Sequence, residues 1–143
     1  MPLQTYLDFV VSHPILFLAL ALVVALIVAN EVHGNLTGGK RLSIPDAVRL
    51  INDREPVIVD VRPVADFKKS HLLNAVNIPL AKIEERSTEL ARDKARPILV
   101  YCNLGATAGE AVLKLQKLGH TEAYNLRGGL NSWLGASLPV TAK

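Results

Sequence analysis

Ile15 to Ala29 is a run of fifteen uncharged, almost wholly aliphatic residues, and nothing else in the sequence restricts the fold so sharply. The run extends back to Phe9 if Ser12, His13 and Pro14 are accepted within it. At ~1.5 Å per residue, about twenty-one helical residues match the ~30 Å hydrocarbon layer of a bilayer. A cleavable secretion signal fits poorly, because no Lys or Arg precedes the run. A core helix fits poorly too: a domain built from the rest of 143 residues cannot enclose a helix that is hydrophobic on every side. The expectation is one transmembrane anchor over residues 1–30, with the lipid bilayer as its first partner.

Charge then suggests an orientation. The amino-terminal flank has no basic residue, whereas Lys40, Arg41 and Arg49 follow the span, so the positive-inside tendency places the remainder of the chain in the cytoplasm, on the inner membrane. The single cysteine has no intrachain partner, which agrees with a reducing compartment. From Glu31 onward the formal balance is +4, too slight and too evenly interspersed for a nucleic-acid partner; attraction to anionic headgroups is a simpler use for it. Residues 31–40, EVHGNLTGGK, are polar and glycine-rich and read as a flexible tether to a domain over 41–143.

Within that domain the stretch Pro97 to Gly119 is the organising one. Ile98-Leu99-Val100-Tyr101 has the apolar, branched and aromatic character of a parallel strand covered on both faces. Cys102 follows at its carboxyl end. After Asn103-Leu104-Gly105, the residues Ala108, Ala111, Val112, Leu115 and Leu118 recur with helical spacing, so a helix starts near Ala106 or Thr107 and Gly119 caps it. A helix amino terminus beyond a strand end offers unpaired N–H groups, and the same field favours a thiolate over a thiol. By geometry alone a reactive thiol and a small buried hydrophobe both remain open for Cys102.

The other elements follow in order. Arg41-Leu42 reads as an edge strand, and Ser43-Ile44-Pro45-Asp46 as a capped helix start. Pro56 to Arg62 is a buried strand ending in two charges, Asp60 and Arg62. A short helix over 63–68, a strand over 75–78, one or two short helices over 80–92, a strand over 122–126 and a last helix through Trp133 complete the chain. Strands alternating with helices specify an α/β domain with a central, mostly parallel sheet, here of five strands.

Asp60-Val61-Arg62, the run Phe67 to Pro79 with His71 inside it, the Cys102 loop, and Leu126-Arg127-Gly128-Gly129 with Trp133 together resemble a rhodanese homology domain, of the membrane-anchored single-domain type. The resemblance covers Leu42 to about Pro139. It implies the three-layer rhodanese-like fold and sulfur transfer: Cys102 takes a sulfane sulfur from a donor, holds it as a persulfide and passes it to a thiol acceptor. The amides of Asn103, Leu104, Gly105, Ala106 and Thr107 would cradle the substrate, with Asp60 and Arg62 lining the pocket or pairing to hold the loop, and neither metal nor organic cofactor is required.

One position departs from the family pattern. Where many active members carry a loop arginine, this chain has Thr107. A lost charge-assisted contact is worth ~1.5–3 kcal/mol, on the order of ten- to a hundredfold in anion binding. Poor thiosulfate turnover, a persulfide substrate and no phosphatase activity are therefore expected. The alternative is a catalytically weak interaction module that recruits membrane or cytoplasmic protein partners. His71 and Trp133 are read as structural, His13 as interfacial and His120 as an exposed loop residue.

Overall fold

Pro14 divides the amino-terminal segment in two. The computed structural model describes residues 3–37, 39–90 and 92–142, with the backbone alone at 34–37. Met1, Pro2, Gly38, Ala91 and Lys143, which fall within the expected anchor, tether and domain, lie outside the described residues. Helix α1 spans Leu3–Ser12 and α2 spans Pro14–Thr37. A proline lacks the N–H that a continuing helix needs but suits a helix start, so the chain breaks at His13 and begins again. The stretch Pro14–His33 is long and apolar enough to cross a membrane, and none of it is buried. Helix α2 runs on through residues 31–37, part of the segment expected to be a flexible tether. Gly34 alone costs only about 1 kcal/mol relative to alanine, and an established helix adds residues with little resistance.

The chain from Asn35 onward forms a separate unit. Its strands are β1 (Arg41–Leu42), β2 (Val57–Asp60), β3 (His71–Leu72), β4 (Val76–Asn77), β5 (Ile98–Tyr101), β6 (Ala123–Leu126) and β7 (Val140–Thr141). Five of them form a sheet in the order β1-β6-β5-β2-β4, every pairing parallel. Helices α3 (Ile44–Arg54), α4 (Val64–Lys69), α5 (Ser87–Leu90), α6 (Ala106–Lys117) and α7 (Gly129–Gly135) connect them. The expected α/β class and five-stranded sheet are present. Strands β3 and β7 form a small antiparallel pair that two-residue segments give no pattern to foresee.

Alternation along β5 builds two cores. Ile98, Val100 and Cys102 face α6 with Val59, Ala108, Val112 and Leu115, whereas Leu99 and Tyr101 face α3 and α7 with Ala47, Leu130 and Trp133. Helices thus cover both faces of the sheet. Ser43 caps α3, its Oγ accepting from the Asp46 N–H at 3.3 Å and donating to the Asp46 carboxylate at 2.6 Å. Helix α6 ends where expected: the N–H groups of Gly119 (φ 96°) and His120 donate to the carbonyls of Gln116 and Leu115, satisfying two orphan acceptors.

His120 is a correction. Expected to be exposed, it is fully buried, with Nε2 3.2 Å from the Lys94 ammonium and Nδ1 without a partner among the described residues. Burial, and after it the Lys94 charge, push its pKa below the ordinary histidine value. The turn that closes α6 draws the ring inward, which a residue after a glycine does not reveal by its type.

Tyr101 links the two sheets. Its buried hydroxyl oxygen accepts the Leu72 N–H at 3.0 Å, and burial together with Asp60 raises its pKa well above the usual phenol value. Tyr101→Phe leaves that N–H without an acceptor. The full chain in detergent micelles is expected to lose about 1–3 kcal/mol in urea unfolding followed by the fluorescence of Trp133, the chain's one tryptophan.

Candidate active site

Strand β5 delivers Cys102 to the carboxyl edge of the sheet, and the chain must then turn directly into α6. Gly105, at φ 103°, makes that turn in a conformation a side chain would strain. The turn directs amides at the sulfur: Sγ accepts from the N–H of Gly105 at 2.9 Å and from that of Ala108 at 3.4 Å. The Ala108 donor belongs to the first turn of α6, where N–H groups have no intrahelical partner. These dipoles stabilise negative charge on the sulfur.

The loop is fixed from behind by α7. Leu130 N–H donates to the Cys102 carbonyl at 2.8 Å and Asn131 N–H to that of Asn103 at 3.1 Å. A close approach of this kind needs glycine: a β-carbon at Gly129, whose φ is 56°, would overlap the Cys102 carbonyl oxygen and the Asn103 peptide.

Cys102 is buried, with 5% of its surface exposed, and lies at the floor of a cleft of about 250 Å³. Asn103, Leu104, Ala106 and Thr107 line the cleft with Val61, Arg62 and Pro63. Gly105 contributes its N–H to the sulfur rather than a surface to the cleft. Asp60 is fully buried and does not reach the cleft. It grips Arg62 instead, accepting Nε at 3.0 Å and Nη2 at 2.6 Å, while its Oδ1 also takes the Arg62 backbone N–H. Arg62 Nη2 further donates to the Ser70 carbonyl, and Nη1 reaches Asn103 Oδ1 at 3.3 Å. Burial opposes the guanidinium charge, but hydrogen bonding and the adjacent carboxylate outweigh it and hold its pKa above the ordinary value.

Both readings of this pair therefore apply in part: Arg62 lines the cleft, and the two residues brace the loop. Arg62 is the one cation among the cleft's lining residues, and Asp60 compensates it. Thr107 adds none. Leu104 is 69% exposed and gives the cleft an apolar patch beside the exposed Asn103 and Thr107. His71 is buried away from the sulfur, Nδ1 at 2.7 Å from the Phe67 carbonyl oxygen and its ring stacked on Phe67. Among the described residues no group of three or more His, Cys, Asp or Glu is placed to hold a metal ion.

Sequence reasoning did not single out Ala108, whose amide faces the sulfur, or Asn125, whose Nδ2 donates to the Gly105 carbonyl at 2.8 Å. Ala108 acts through its backbone and left no signal. Asn125 left one: an amide side chain inside a short strand otherwise suited to burial.

Residues 43–136 match the Rhodanese-like domain family. The chain belongs to that family. It is similar to the YibN protein of Escherichia coli K12, 33% identical over 96% of this chain and 97% of that one. It is also 35% identical to the thiosulfate sulfurtransferase GlpE of Coxiella burnetii over 66% of this chain and 86% of GlpE. Among solved structures, a rhodanese-related protein of Thermoplasma volcanium superposes with a TM-score of 0.65 at 26% identity, covering 73% of this chain and all of the other. Sulfurtransferase-type chemistry is therefore the general function of this rhodanese-like chain.

The buried ion pair gives the rhodanese-like domain a measurable dependence on Asp60. Asp60→Ala leaves the Arg62 charge uncompensated in the interior, at a cost of about 3–5 kcal/mol in the same urea unfolding experiment. Replacing both residues together with apolar ones is expected to recover a large part of that loss.

Proposed function

We propose that this chain is a membrane-anchored sulfurtransferase, or persulfide carrier, in which Cys102 takes a sulfane sulfur from a donor and passes it to a thiol acceptor. The observation that carries the reading is the pair of amides, from Gly105 and Ala108, turned onto a sulfur at the floor of a cleft. As a thiolate, Sγ attacks the outer sulfur of a persulfide donor. The donor's S–S bond breaks, its electron pair leaves with the donor thiolate, and Cys102 is left carrying the persulfide. An acceptor thiolate then attacks the terminal sulfur and Cys102 departs as a thiolate, so no external oxidant or reductant is consumed. The amides that stabilise the resting sulfur also stabilise the anion released at the second step.

Charge bears on the donor. Arg62 is compensated by Asp60 and Thr107 brings no cation, so the cleft suits a singly charged persulfide better than the thiosulfate dianion. The exposed Leu104 at its rim suits an acceptor that presents apolar surface. Helix α2 supports anchoring in the inner membrane, and the basic residues after it support a cytoplasmic domain.

Intact mass of the full chain in detergent after exposure to polysulfide is expected to show one added sulfur atom, absent in Cys102→Ser. Loading from thiosulfate is expected to be slower, and Thr107→Arg to raise it on the order of ten- to a hundredfold. If no sulfane donor loads the wild-type protein, sulfur transfer gives way to a noncatalytic interaction module. A cysteine introduced at exposed Lys117 is expected to resist a membrane-impermeant thiol reagent in intact cells and react after permeabilisation; the reverse pattern overturns the orientation.

A further inference from the structure

The amides of Gly105 and Ala108 hold Sγ, yet neither residue lines the cleft from which a sulfur donor would arrive. They support the nucleophile from behind. Attack on a sulfane sulfur runs in line, so the departing group stands roughly two S–S lengths from Sγ, about 4 Å toward the mouth of the cleft. Negative charge develops there, on the far side from both amides. Exchange at sulfur depends on how well the departing anion is held, so a hydrogen-bond donor at the mouth speeds it.

Asn103 carries such a group. Its side chain is exposed and lines the cleft, and its Oδ1 accepts from Arg62 Nη1 at 3.3 Å. A guanidinium only donates, so the amide turns its oxygen to Arg62 and leaves Nδ2 at the opposite corner. Nδ2 has no hydrogen-bond partner among the described residues. Arg62 is a fixed post, 6% exposed and held by Asp60 and the Ser70 carbonyl, so it acts on the cleft through Asn103. An amide whose oxygen rests on a cation is polarised, which strengthens the N–H at its other end.

We infer that Asn103 is a catalytic residue whose side-chain amide donates a hydrogen bond to the departing group of the sulfur donor, with Arg62 as its positioning residue. The inference rests on the sulfur-transfer reading of Cys102 and concerns the side chain of Asn103, not its backbone. A bond forms between Sγ and the outer sulfur, the donor's own bond to that sulfur breaks, and the electron pair settles on the departing group, which takes a hydrogen bond but no proton. Such help matters most for a basic anion that leaves poorly. An alkyl persulfide, which releases an alkyl thiolate, is therefore the class of sulfur donor this arrangement fits.

The test is the rate at which para-substituted benzenethiosulfonates load Cys102 in the full chain in detergent, followed by intact mass. Asn103→Ala is expected to slow the 4-methoxy compound, the poorer leaving group, by about tenfold or more, and the 4-nitro compound by about threefold or less. A displaced loop would slow both alike, and equal losses overturn the assignment. Asn103→Asp keeps an oxygen for Arg62 but has no N–H to donate, and is expected to load no faster than Asn103→Ala; wild-type rates in Asn103→Asp also overturn it. If neither compound loads the wild type, the sulfur-transfer reading falls and this assignment with it, whereas wild-type loading that is indifferent to Asn103 removes the assignment alone.

Discussion

The site depends on which way a few peptide groups point. The carbonyls of Cys102 and Asn103 are turned outward and tied to the first amides of α7, and the amides of Gly105 and Ala108 are turned inward to the sulfur. The two orientations are one arrangement, because a chain that turns directly from a strand into a helix must direct its carbonyls to one side and its N–H groups to the other. Gly129 makes it possible by carrying no side chain where α7 meets the loop. A strand end, a helix start and a second helix start thus converge on one atom.

Charge is arranged with similar economy. Asp60 and Arg62 sit at the end of β2, each almost without exposure, and their mutual bonds leave Arg62 able to support Asn103 from the side. Breaking such a pair is costly because the surviving charge stays buried. The pair also sets the character of the cleft: it holds the loop without presenting a net cation to solvent. With threonine at 107, the field at the sulfur comes chiefly from backbone dipoles.

Much of this was legible in the sequence. The β5 run, the helical spacing after it, the Ser43 cap and the glycine after α6 each rest on local rules, and the elements stand where those rules put them. The β3–β7 pair was not legible, since two-residue strands depend on tertiary neighbours. Residues 31–37 continue α2 because helix propagation tolerates a lone glycine, and His120 is drawn in by a turn rather than by its own polarity. At the candidate site, the sequence set Cys102 and Arg62 at or just beyond strand ends and Gly105 in the loop before α6, and the structure has them there. Ala108 and Gly129 act through backbone atoms, and Asn125 through a bond to a residue twenty positions away, so residue type alone said little about them.

Alternation along β5 carries one more consequence. Successive side chains leave a strand on opposite faces, so shifting the pairing by a single step would hand the α6 side a phenol and drive the thiol toward Trp133. The side chain packed beside α6 would then end in oxygen instead of sulfur. Insertions and deletions upstream are tolerable in the connecting turns, but the spacing between Ile98 and Cys102 is the part of the chain where length itself is chemistry.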